Sequence, residues 1–246
     1  MKFEICHLYP DLLNLYGDMG NVLCLKKRLE WRGVEVNITS VSVGEKLDAA
    51  RFDFFFIGGG QDFEQSVLLE DLHAGKDAEI KSAINDEKTF LAICGGYQML
   101  GNYYKSHTGQ QCDFIGALDF YSIGSDKRLI GDYCFECSPE SGSSTVVGFE
   151  NHSGKTYLGG NLSPLGKIIK GFGNNGEDST EGAHFLNTFG TYCHGPLLPK
   201  NPDFTDAILL TALKQRYPDA ELSPLDDSLE NQAHDYIYRR LMQENI

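Results

Sequence analysis

An α/β fold with a mostly parallel central sheet is predicted by three features of this chain. Short runs such as Phe54-Phe55-Phe56-Ile57 and Phe90-Leu91-Ala92-Ile93 are apolar throughout, as strands buried on both faces must be. Longer segments of helical periodicity alternate with them. Glycine-rich turns follow them, Gly58-Gly59-Gly60 after one and Cys94-Gly95-Gly96 after the other. In such sheets ligands bind beyond the carboxyl ends of the strands, where these turns fall.

Taken in order, Lys2–His7 reads as the first strand, and Asn21–Trp31 as a helix with Val22, Leu25 and Leu29 on one face. Gly33 stops that helix. Val34–Ser40 reads as the second strand, Asp53–Ile57 as the third, and Val67–Asn85 as a helix. Thr89–Ile93 is the fourth strand, followed by a helix over Tyr97–Tyr104. Through the middle of the chain, roughly residues 115–190, the texture changes. Runs such as Ile130–Cys137 and Ser144–Phe149 are separated by Ser/Gly/Asn-rich breaks, which predicts an irregular β-rich insertion of hairpins. Thr188–His194 returns to a buried-strand pattern. Asn201-Pro202-Asp203 opens a helix, proline suiting its first turn, and Ser228–Gln243 is the last helix. Neither a repeat nor a linker divides the sequence, so residues 1–246 are expected to form one domain.

Composition narrows the function. The 246 residues are 41% hydrophobic and carry a net charge of −14, which leaves no basic stripe for nucleic acid or for an anionic membrane surface. No apolar run approaches the roughly 20 residues that cross a bilayer. The start, Met1-Lys2-Phe3-Glu4-Ile5, reads as a strand rather than a signal peptide. Seven scattered cysteines, an odd number, point to reduced thiols and a cytoplasmic protein.

Cys94 stands where an apolar strand ends and a Gly-Gly turn into a helix begins, the layout of a nucleophile elbow with sulfur in place of oxygen. Helix N-terminal amides there favour a thiolate. A nucleophilic cysteine needs a base, and His194 in Gly190-Thr191-Tyr192-Cys193-His194-Gly195 is the candidate. The N–H groups of Gly95 and of Gly59 or Gly60 are the natural donors to an oxyanion. Cys193 precedes the histidine in a strand pattern, faces the other way and is expected in the core. Cys134-x-x-Cys137 lacks a second Cys/His pair at ligand spacing, so neither a metal nor a cofactor is expected. Gly171-Phe172-Gly173-Asn174-Asn175-Gly176 fits a dinucleotide motif literally but precedes no helix, and is expected to be a turn. Gly148 to Gly154-Lys155-Thr156 resembles a phosphate loop with one residue too many, and is set aside.

The loop Gly58–Asp62, the run Cys94-Gly95-Gly96-Tyr97-Gln98 and the segment Gly190–Gly195 together resemble the class I glutamine amidotransferases of the cobyric-acid-synthase branch. The opening Leu8–Asp18, Gly148-Phe149-Glu150-Asn151-His152-Ser153-Gly154 and His194–Pro202 narrow the resemblance to glutaminase subunits of the lipid II isoglutaminyl synthases, the GatD type. That resemblance implies a flavodoxin-like three-layer α/β/α domain that hydrolyses L-glutamine. It implies delivery of ammonia to a Mur-ligase-like, MurT-type partner that uses ATP to amidate D-glutamate in the lipid II stem peptide. By motif match, Cys94 is the nucleophile and His194 the base. Arg128 and Gln98 would hold the α-carboxylate and α-amino ends of glutamine, and Glu150 and His152 would help shape the pocket.

Many class I relatives place a glutamate two residues after the histidine, where this chain has Pro196. Either the dyad works without an orienting carboxylate or a partner subunit supplies one, and the expectation is the latter. Competing readings are a glutaminase feeding a cobyrinate-type amidating enzyme, a stand-alone cysteine hydrolase of γ-glutamyl bonds, and a degenerate, non-catalytic subunit.

Overall fold

The computed structural model describes residues 1–60, 68–137 and 144–243. β1 (Lys2–Leu8) leads through a loop to α1 (Met19–Glu30), which buries Val22, Leu25 and Leu29 as its periodicity predicts. β2 (Glu35–Val41), β3 (Phe54–Ile57) and β4 (Thr89–Ile93) follow. The predicted helix over Val67–Asn85 begins on a residue outside those described. From residue 68 it is helical, widens at Leu72–Lys76 where Gly75 has φ 128°, and continues as α2 (Asp77–Asn85).

After Cys94 comes α3 (Gly95–Met99), which stops well short of the expected Tyr104. Gly101 lies so close to the Phe120 ring that a Cβ there would collide with it. The chain turns at that point, and β5 (Tyr103–Lys105) joins a second sheet. The rest of that sheet is β6 (Gln111–Asp113), β7 (Phe120–Cys137), β8 (Ser144–Leu158), β9 (Gly166–Lys170) and β10 (Thr180–Glu181). β7 and β8 pair antiparallel along nearly their whole length. The two short runs read from the sequence are therefore parts of long strands; their exposed positions broke the apolar pattern. The phosphate-loop look-alike lies inside β8, an extended strand.

β11 (Ala183–Phe185), β12 (Thr188–Thr191), α4 (Pro202–Arg216) and α5 (Ser228–Gln243) complete the described elements. The first sheet has the order β2-β1-β3-β4-β12-β11. Its first five strands are parallel, and β11 closes the edge antiparallel to β12. β3, β4 and β12 are buried at every position, and Phe55 stacks on Phe90 with ring centroids 4.3 Å apart. Strands buried on both faces require helices on both, which gives the three-layer α/β/α arrangement.

Among the ties that hold the helices are an ion-pair cluster and an apolar contact. Arg28 of α1, 4% exposed at its side chain, bonds Asp206 of α4 at 2.7 and 2.8 Å and Asp227, just before α5, at 2.5 and 2.9 Å. Leu241 of α5 packs with Cys134 and Val147 of the second sheet. No helix among the described residues is long and apolar enough to cross a membrane.

Candidate active site

The carboxyl edge of the parallel sheet gathers four loops, those after β1, β3, β4 and β12. Cys94 follows β4 with φ 49° and ψ −105°, a backbone conformation that costs a residue with a Cβ about 1–3 kcal/mol. Its neighbours enforce it: Cys94 N–H donates to Thr191 O at 2.8 Å, and Gln98 N–H donates to Cys94 O at 2.9 Å. Gly96 can follow because it has no side chain, since a Cβ would stand 2.6 Å from Ile57 Cγ2. α3 is only five residues long, so the amides of its first turn, Gly95 foremost, supply the local positive potential rather than a long helix dipole.

The strand pattern expected through His194 ends at Thr191. His194 instead pairs with Phe149 of β8, its N–H donating to Phe149 O at 2.8 Å, and this bridge clamps the two sheets together. Its imidazole is fully buried. Asp18, from the loop after β1, places Oδ1 3.8 Å from His194 Nδ1 and accepts the Gly59 N–H on Oδ2 at 2.6 Å. Burial works against a charged imidazole here, but the negative charges of Cys94 and Asp18 outweigh it and raise the His194 pKa to about 10. Neither ring nitrogen has a hydrogen-bond partner among the described residues. Gly59 lies against all three groups: a Cβ there would stand 2.7 Å from His194 Cε1, 3.3 Å from Asp18 Oδ2 and 3.5 Å from Cys94 Cβ.

An acid of this chain, Asp18, stands beside the histidine, a neighbour the sequence did not show. Sequence proximity could not show it, because the loop after β1 meets the histidine only when β1 and β12 share a sheet edge. The Gly59 N–H, one of three expected to face an oxyanion, is committed to Asp18.

Cys94, Gly60, Gln98 and Arg128 line one cavity of about 510 Å³, whose wall also includes Tyr16, Asn151 and His152. Arg128 lies in the stretch where the β7–β8 register shifts between Gly124 and Leu129, a bulge in the ladder. Its Nε and Nη2 donate to Asn151 Oδ1 and O at 2.7 and 2.9 Å. Gln98 donates to Tyr192 Oη at 2.9 Å. Glu150 lies behind this wall and His152 is part of it. The Glu150 carboxylate accepts the Phe172 and Gly173 N–H groups at 2.7 and 2.9 Å, so the Gly171–Gly176 turn cradles a side chain of the chain itself. His152 stacks on Tyr192 at 3.6 Å with Nδ1 2.7 Å from Gly154 O, bracing the wall.

Glu181 has no warning in the sequence. It is fully buried, its Oε1 accepts Thr191 Oγ1 and Tyr192 N–H at 2.6 and 2.9 Å, and burial raises its pKa to about 7. Cys193, as expected, lies in the core, and burial pushes its thiol well up. Cys134 and Cys137 lie in β7, where burial raises the Cys134 thiol to about 11.

This architecture is that of the class I glutamine amidotransferases. The chain superposes on PurLQS of Thermotoga maritima with a TM-score of 0.58, covering 87% of this chain and 99% of that one at 16% identity. It superposes on the glutaminase domain of CTPS from Trypanosoma brucei with a TM-score of 0.54, covering 90% and 96% at 15% identity. Residues 4–202 match the CobB/CobQ-like glutamine amidotransferase domain, and the chain belongs to that family. It is 40% identical over 238 residues to subunit GatD of the glutamine-hydrolysing lipid II isoglutaminyl synthase of Streptococcus pneumoniae, covering 96% of this chain and 90% of the relative. Identity to the same subunit of Staphylococcus aureus is 40% over 239 residues, covering 97% and 96%. A probable cobyric acid synthase of Methanothermobacter thermautotrophicus is 31% identical over 175 residues, which span 65% of this chain and 33% of that protein.

Proposed function

We propose that the chain is the glutamine-hydrolysing subunit of a lipid II isoglutaminyl synthase. The observation carrying the chemistry is the meeting of Cys94, His194 and Asp18 at one sheet edge beside an open cavity. The Cys94 thiolate attacks the carboxamide carbon of L-glutamine, and the N–H groups of Gly95 and Gly60 take up the oxyanion. The His194 imidazolium, held charged by Cys94 and Asp18, protonates the departing ammonia and leaves a thioester on Cys94. His194, now neutral, takes a proton from water, whose hydroxide releases glutamate. Asp18 orients the ring throughout, the part played elsewhere by an acid close to the histidine in sequence.

Arg128 holds the α-carboxylate of glutamine through the N–H groups that Asn151 leaves unengaged, and Gln98 lines the α-amino end. Ammonia passes to an ATP-dependent, Mur-ligase-like partner of the MurT type, which amidates D-glutamate of the lipid II stem to D-isoglutamine. Identity along nearly the full length of two GatD subunits supports this acceptor.

The test is twofold. A diazo-ketone analogue of glutamine should label Cys94, and Cys94→Ala should abolish both labelling and ammonia release. Co-purification from the native host should bring down a Mur-ligase-like protein. An unlabelled Cys94 in the intact complex would refute the chemistry, and a cobyrinate- or nucleotide-amidating partner would refute the acceptor.

A further inference from the structure

Tyr16 lies at the cavity mouth with φ 53° and ψ 26°, left-handed backbone that few residues other than glycine adopt. It remains 44% exposed, so burial of its ring does little to hold that conformation. Its contacts are with the site. The ring meets His194 edge-on at 4.9 Å and Phe149 at 5.5 Å. The imidazole is thereby gripped between Tyr16 and Gly59, whose position admits no Cβ. The Tyr16 hydroxyl accepts Asn151 Nδ2–H at 2.7 Å, and Asn151 in turn accepts Arg128 Nε–H at 2.7 Å and Nη2–H at 2.9 Å. One chain of contacts thus runs Arg128–Asn151–Tyr16–His194. Strain stored in such a chain is typical of functional positions.

We propose that Tyr16 is a positioning residue that couples capture of the substrate's α-carboxylate by Arg128 to the placement of His194 against Cys94. This rests on the glutaminase reading above. A carboxylate arriving at Arg128 meets a guanidinium already oriented by Asn151. Any shift of that guanidinium passes through the Asn151 carboxamide to the Tyr16 hydroxyl, and the ring transmits it to the imidazole. A substrate without the carboxylate at the right distance leaves the chain unloaded.

The experiment compares Tyr16→Phe, which cuts the link but keeps the wall, with Tyr16→Ala, which removes both. Both are measured in the full-length chain within its native complex. For Tyr16→Phe, the KM for glutamine should rise about tenfold with kcat changed less than about threefold. Labelling of Cys94 by the diazo-ketone analogue, which carries an α-carboxylate, should fall about tenfold. Alkylation by iodoacetamide, which carries none, should stay within about twofold. Tyr16→Ala should in addition lower kcat by roughly a hundredfold as the ring of His194 loses its stop. Unchanged KM and kcat in both variants would overturn the proposal. So would equal losses of both labels in Tyr16→Phe, which mean general distortion. If the wild-type complex takes neither the analogue nor glutamine, the glutaminase reading itself has failed and this coupling falls with it.

Discussion

Replacing Asp18 by asparagine removes one charge and almost nothing else. Asp18 is fully buried, and an asparagine there keeps the volume and an oxygen for the Gly59 N–H. What disappears is the negative charge 3.8 Å from His194 Nδ1. At an effective dielectric of about 20, Coulomb's law gives that attraction about 4 kcal/mol, close to a thousandfold in the population of imidazolium. Part of this is restored when the neutral ring is reoriented by the new carboxamide, so kcat/KM for glutamine should fall by roughly 10²–10³. The pH dependence carries the sign. The raised pKa of His194, about 10, keeps the ring protonated across neutral pH, and kcat/KM should lose activity only as pH rises toward that value. In Asp18→Asn the alkaline limb should move to lower pH by about two units. Ammonia release by the intact complex, followed from about pH 6 to 10.5, measures both effects. A variant within about threefold of wild type with an unmoved alkaline limb would refute the role given to Asp18.

Three further outcomes are expected. Gly59→Ala places a Cβ 2.7 Å from His194 Cε1, so glutamine hydrolysis should fall by at least about a hundredfold while circular dichroism shows a folded protein. Glu181 has a folded-state pKa raised to about 7 against an unfolded value near 4.5, so its ionisation opposes folding. That destabilisation is absent below about pH 4.5, grows as pH rises, and is complete above about pH 7. Glu181→Gln should therefore melt higher than wild type at pH 8, by up to about 3 kcal/mol, with the gap closing toward pH 5. Arg28→Ala leaves Asp227 without its guanidinium and Asp206 with Arg32 alone, and denaturant titration should show a loss of about 3 kcal/mol.

Local pattern was enough for the parallel strands and for the placement of Cys94 and His194 beyond their ends. Apolar runs such as Phe54–Ile57 and Thr89–Ile93 are unambiguous because a strand covered on both faces has no polar position to blur it. Cys94 was legible because a strand, a lone cysteine and paired glycines are contiguous, and His194 because its glycine-flanked segment follows another such strand. Failures of local pattern have equally local causes. Half-exposed β7 and β8 hid their length behind polar positions, and α3 ended early because Gly101 had to meet Phe120. Asp18 and Tyr16 belong to a different kind of information. Each meets a partner far away in the chain, so neither composition nor spacing marks it, and the contact arises only when the order β2-β1-β3-β4-β12 brings the loop after β1 against the turn after β12. The proposed nucleophile and base are written in short stretches of residues, whereas the Asp18 carboxylate beside His194, and its hold on the Gly59 N–H, exist only through folding.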